Sequence, residues 1–169
     1  MRSTICLRGC LAATSALVLL GGLTSPAAAQ PPDVTISEIA ETDVVHSGTT
    51  ARVALEVALD PGFHVNSNTP LDEFLIPTVL TLDPPAGISL EALAFPEAIL
   101  LEQLGAEQPL AVFEEKFLIG AALTLDRALS PGSYAVPGTL RYQACNDRMC
   151  FNPTNVSIQF DLTVASATQ

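Results

Sequence analysis

The chain has 169 residues, a net charge of −11 and 49% apolar residues with no tryptophan. That length suits one domain with a real hydrophobic core. The acidic balance argues against nucleic acid and anionic membrane as partners, and serves solubility or the steering of a basic protein instead.

The first segment reads as an export signal. Arg2 and Arg8 flank the start of an apolar run, 11–23, that Gly21 and Gly22 interrupt. The run is shorter than the ~18 apolar residues a membrane span needs. Ala27-Ala28-Ala29 then supplies an A-x-A cleavage pattern. Residues 1–29 are therefore expected to be a secretory signal peptide that takes Cys6 and Cys10 with it. Residues 30–169 form the exported domain, which lacks any later run long enough to insert in a membrane and is expected in a bacterial periplasm. Of the 7 basic residues 5 remain, against 18 acidic ones, a balance of −13.

In chain order, the patterns are those of strands. Residues 34–37 alternate apolar and polar, and so do 51–57, where Val53, Leu55 and Val57 share a face. Pro61-Gly62 makes a turn before Phe63-His64-Val65. Strands follow at 78–82 and 88–95, separated by Pro84-Pro85 and Gly87. Residues 97–110 show no strand pattern and are expected to hold a helical turn or a long loop. Residues 117–125 read as a core strand and 134–142 as another after Pro131-Gly132. The clearest alternation is 156–164, with Val156, Ile158, Phe160, Leu162 and Val164 inward. Many short strands separated by Pro/Gly turns predict an antiparallel β-sandwich.

Cys145 and Cys150 are the only cysteines after residue 29. Exported thiols usually oxidise, so a disulfide between them is expected. It closes about six residues and contributes roughly 2 kcal/mol on the chain-entropy formula, against about 4.7 kcal/mol for a bridge spanning ~100 residues. Such a pair is poorly placed as a staple, and spacing alone leaves structural and redox roles level. Asn146-Asp147 and Asn152-Pro153 are turn signals, placing the pair at a hairpin tip or strand end that a partner can reach. Arg148 favours a thiolate while Asp147 opposes it. Cys145, Cys150, His46 and His64 make a nominal metal set, but the two histidines lack ligand spacing. His46 reads as a loop residue and His64 as a structural or interface residue at a strand start. No G-x-S-x-G, H-E-x-x-H or phosphate-binding glycine loop is present.

Leu140-Arg141-Tyr142-Gln143-Ala144-Cys145, followed by Cys150-Phe151-Asn152-Pro153, resembles the active-site hairpin of the N-terminal periplasmic domain of the thiol:disulfide interchange protein DsbD family. Residues 61–68, with Gly62-Phe63-His64, resemble that family's early Gly-aromatic-His segment. The resemblance implies an immunoglobulin-like sandwich with a redox-active cysteine pair and no metal or organic cofactor. It implies Cys150 as the cysteine that forms a mixed disulfide, Cys145 as the resolving cysteine, and Tyr142 and Gln143 as residues that shape the hairpin. Electrons would come from a thioredoxin-like protein or a membrane donor and pass to oxidised periplasmic proteins. The family's aromatic cap over the cysteines would fall by order in 101–108, which has no aromatic; Leu104 is a possible substitute, and Phe74 looks cap-like but comes earlier in the chain. A module of another class, an immunoglobulin-like binding domain with a small structural cystine, is the alternative.

Overall fold

The computed structural model describes residues 31–102 and 108–167. The expected signal peptide and the centre of the expected cap loop, including Leu104, lie outside the described residues. In chain order the strands are β1 (Val34–Ala40), β2 (Val45–His46), β3 (Thr50–Leu59), β4 (His64–Asn66), β5 (Val79–Leu82) and β6 (Ile88–Ala94). They continue with β7 (Ile99–Leu101), β8 (Leu110–Glu114), β9 (Lys116–Leu125), β10 (Gly132–Tyr142), β11 (Ala144–Cys145) and β12 (Thr154–Ala165). Among the described residues no helix is long and apolar enough to cross a membrane.

Two four-stranded sheets, ordered β1-β3-β9-β6 and β2-β12-β10-β5, make the layers of an all-β, immunoglobulin-like sandwich. Alternation explains their inner faces. Ala51, Val53, Leu55, Val57 and Leu59 of β3 are buried, as are Phe117, Ile119, Ala121, Leu123 and Leu125 of β9. From the opposite sheet, Leu80, Leu82, Val136, Leu140, Ile158, Phe160, Leu162 and Val164 join the same cluster, with Val156 partly buried against it. A period of two puts each apolar set on one face, and stacking the two sheets removes both faces from water. The pairing is antiparallel throughout, except that β2 runs parallel to the end of β12.

β10 lies between β12 and β5. A Cβ on Gly138 would sit 2.6 Å from both the Leu82 Cδ2 and the Thr81 carbonyl oxygen, and 3.0 Å from the Ile158 Cδ1. The strands approach this closely only because that position has no side chain.

A third sheet, ordered β11-β4-β8-β7, is built from continuations of the first two. β10 leaves its sheet at Gln143 and runs on as β11. β8 leads into β9 through Glu115, whose φ is 52°. β4 follows β3 through a turn in which the Phe63 N–H donates to the Asp60 carbonyl at 3.2 Å. Val65, Ala144 and Phe113 tie this sheet to the main core, and the Phe113 ring lies 4.9 Å from that of Phe117 and 6.3 Å from that of Phe95.

Two sequence expectations are corrected here. The expectation of no strand in 97–110 fails at its two ends: they contain β7 and the first residue of β8, while 103–107 lie outside the described residues. β7 is a three-residue edge strand with Ile99 and Leu100 exposed, so it shows no alternation. β8 is covered on both faces, and its run Ala111-Val112-Phe113 is apolar throughout. His46 is a strand residue rather than a loop residue. It pairs with Ala165, and its Nδ1 lies 2.7 Å from the Ser166 carbonyl oxygen.

Candidate functional site

The two cysteines sit in the enlarged tip of the β10–β12 hairpin, which closes at the pair Tyr142–Thr154. The expected turn forms at Asn146–Met149. The Asn146 N–H donates to the Met149 carbonyl at 2.9 Å, and the Asn146 Oδ1 accepts from the N–H groups of Arg148 and Met149, each at 2.9 Å. An asparagine side chain that captures the N–H two residues on shapes the turn locally. Below the turn, the Phe151 N–H donates to the Ala144 carbonyl at 2.8 Å and the Gln143 Nε2 donates to the Phe151 carbonyl at 2.9 Å. Gln143 thus clamps the two arms together. Tyr142 is buried beneath them, and burial pushes its hydroxyl pKa up.

Within this frame Cys145 and Cys150 stand directly opposite each other, with Cα atoms 3.9 Å apart, and form a disulfide. Their environments differ. Cys145 is 2% exposed. Cys150 is exposed, and so are its neighbours Asp147, Arg148 and Met149. Of the two, Cys150 is the one that solvent reaches. Arg148 and Asp147 are both exposed, 3.9 Å apart at Nε and Oδ2, and a pair so open to water contributes little.

The surroundings come from the third sheet. Cys145 on β11 is the register partner of His64 on β4, and His64 is the register partner of Glu114 on β8. Directly opposed residues point to the same face with Cβ atoms about 5 Å apart. A row Cys145–His64–Glu114 therefore crosses three adjacent strands. Beside it opens a cavity of about 580 Å³ whose walls include Phe63, His64, Glu102, Glu114, Glu115 and Asp147. The Phe63 ring packs 6.0 Å from that of Phe151, joining this wall to the cysteine hairpin. Among the described residues the lining is acidic, with no lysine or arginine.

His64 is 5% exposed, and its Nε2 is buried without a hydrogen-bond partner among the described residues. Burial lowers its pKa below 6.5, and the Glu114 charge offsets part of that. The unfolded chain takes up a proton near pH 6.5, and folded His64 takes one up only at lower pH. The stability from neutral His64 is thus complete above that pH. It is lost as pH falls towards the folded value, at a slope of at most about 1.4 kcal/mol per pH unit. Urea unfolding at several pH values below neutrality checks this. The wild type is expected to weaken more steeply than His64→Phe; parallel curves would show that folded His64 charges freely.

The sequence reading placed Cys145, Cys150, Tyr142 and Gln143 together, and the structure does the same. It separates the two histidines: His64 lies beside the cysteines, and His46 pairs with β12. Among the described residues, no three His, Cys, Asp or Glu side chains cluster in a way that would hold a metal ion. Phe74, considered as a cap, is 86% exposed. Asn66 is 1% exposed; its Nδ2 donates to the Ile76 carbonyl at 2.9 Å, and its own carbonyl accepts from the Thr78 Oγ1 at 2.6 Å. It holds the β4–β5 loop against the third sheet. From the sequence, the adjacent carboxylates Glu114 and Glu115 read as solvated charges; that Glu114 lies beside His64 depends on strand pairing, and no local pattern marks it.

Residues 34–162 match the family described as thiol:disulfide interchange protein DsbD, N-terminal. No curated protein matches the chain in sequence. Among solved structures, the N-terminal periplasmic domain of ScsB from Proteus mirabilis is 18% identical with a TM-score of 0.55, covering 76% of this chain and 46% of that one. The chain thus spans under half the length of that ScsB structure, and the likeness speaks for the fold. The reduced DsbD N-terminal domain of Neisseria meningitidis is also 18% identical, with a TM-score of 0.45, covering 76% of this chain and 83% of that one. With the family match running from β1 into β12 and enclosing the cysteine hairpin, this chain belongs to the DsbD N-terminal family of thiol:disulfide interchange proteins.

Proposed function

We propose that this chain is a periplasmic thiol–disulfide exchange domain, exported by the signal at 1–29, that carries electron pairs on Cys145 and Cys150. The observation that carries this reading is the asymmetry of the pair, an exposed Cys150 bonded to a buried Cys145 at a hairpin tip. In the reduced domain, the Cys150 thiolate attacks a partner disulfide. A mixed disulfide forms and one partner thiolate leaves. Cys145 then attacks the Cys150 sulfur, the second partner thiolate leaves, and the Cys145–Cys150 disulfide is restored. The partner gains two electrons and two protons, and the domain loses them. Tyr142 and Gln143 hold the hairpin in shape and take no part in bond exchange. A thioredoxin-like protein or a membrane electron donor reduces the domain again, and the acceptors are oxidised periplasmic proteins. The step uses sulfur chemistry alone and calls for no metal or organic cofactor.

The test is the equilibrium reduction potential of the pair, measured by thiol labelling and mass spectrometry in a dithiol redox buffer. A value of roughly −270 to −180 mV, between thioredoxin and protein disulfide isomerase, is expected. A value below about −300 mV marks a structural disulfide and would favour a binding module with a passive cystine.

A further inference from the structure

We infer that His64 is the proton acceptor for the buried thiol of Cys145, oriented by Glu114, so that the row Cys145–His64–Glu114 makes the resolving step fast. The inference rests on the exchange reading and deepens it.

A resolving cysteine must be a thiolate when it attacks. Cys145 is 2% exposed, and burial disfavours the charged form of a thiol. Its proton needs a local acceptor. The acidic cavity wall provides Glu102, Glu114, Glu115 and Asp147, which are poor bases for a thiol and whose charges oppose a thiolate. His64 is different. It is Cys145's register partner on the same face of the sheet, it lines the cavity, and its buried Nε2 has no other partner among the described residues. A buried nitrogen without a partner is costly, and a hydrogen from the reduced thiol would satisfy it. Glu114, the next residue in the row, stabilises the imidazolium once it forms. Burial otherwise keeps the imidazole neutral, and so ready to accept a proton at neutral pH.

The step balances. In the mixed disulfide, the Cys145 thiol gives its proton to the His64 Nε2 as its sulfur attacks the Cys150 sulfur. The Cys145–Cys150 bond forms, the Cys150–partner bond breaks, and the partner leaves as a thiolate that takes the proton from His64. No outside oxidant or reductant enters.

Reduced protein mixed with an equimolar aromatic disulfide, 5,5′-dithiobis(2-nitrobenzoate), separates the stages. Attack by Cys150 releases one coloured thiolate, and attack by Cys145 releases the second in a step independent of reagent concentration. In the wild type the second step is expected to be level through neutral pH and to fall on the acid side as His64 protonates. In His64→Phe it is expected to slow by at least about tenfold at neutral pH. Its rate should then climb about tenfold per pH unit with the thiol's own ionisation. The first step should change little. Glu114→Gln leaves His64 in place and is expected to move the acid limb to lower pH, a readout that stands if His64→Phe fails to fold. An unchanged second step in His64→Phe, or an unmoved acid limb in Glu114→Gln, overturns the inference and leaves exchange intact. A wild type that releases no second thiolate overturns the exchange reading and the inference with it.

Discussion

Cys150→Ala is expected to abolish exchange, while Cys145→Ala is expected to accumulate a covalent complex with the partner. The two outcomes differ because burial differs. With Cys150 gone, the remaining sulfur is 2% exposed and no partner disulfide reaches it. With Cys145 gone, the exposed Cys150 still attacks, but the mixed disulfide has no internal thiol to resolve it and waits for an external one. Non-reducing gels with a thioredoxin-like protein, or with any small disulfide substrate, read both results. Exchange at the wild-type rate in Cys150→Ala would remove the assignment of the attacking sulfur. A Cys145→Ala variant that never forms a mixed disulfide would do the same for the resolving role, and would point to a passive cystine.

Leu123→Ala is expected to cost 2–5 kcal/mol of folding stability, by urea or thermal unfolding of the oxidised protein. Leu123 is fully buried on β9, in the first layer of the sandwich. Its truncation removes apolar contacts and leaves a cavity that rigid sheets fill poorly. Reducing the disulfide is expected to cost no more than about 2 kcal/mol, because the closed loop is so short. The comparison matters for function. A pair that cycles between dithiol and disulfide is usable only if the fold survives both states, and here the core rather than the cystine carries the fold. A loss on reduction as large as that in Leu123→Ala would reverse this view and make the cystine structural.

Much of the sandwich is legible in the sequence because half-buried strands repeat with a period of two. β3, β9 and β12 declare both their strand character and their inner faces through Val53, Leu55 and Val57, then Ile119 and Leu123, then Ile158, Phe160 and Leu162. The same logic fails where it does not apply. β7 is too short and exposed to alternate, and β8 is covered on both sides and does not alternate. β2 has only two residues, and its parallel partner lies more than a hundred residues further along the chain.

The sequence by itself determined the all-β class, the main strands, the turn at Asn146–Asp147 and the likeness of the cysteine hairpin to that of thiol:disulfide interchange domains. These are local properties, set by side-chain alternation and turn chemistry within a dozen residues. Only the tertiary structure decided which cysteine is exposed and which is buried, since both lie in the same short segment and differ only in what packs over them. It alone aligned Cys145, His64 and Glu114, because strand register joins positions 81 and 50 residues apart in the chain. Register is a property of the paired sheet, and no single strand contains it.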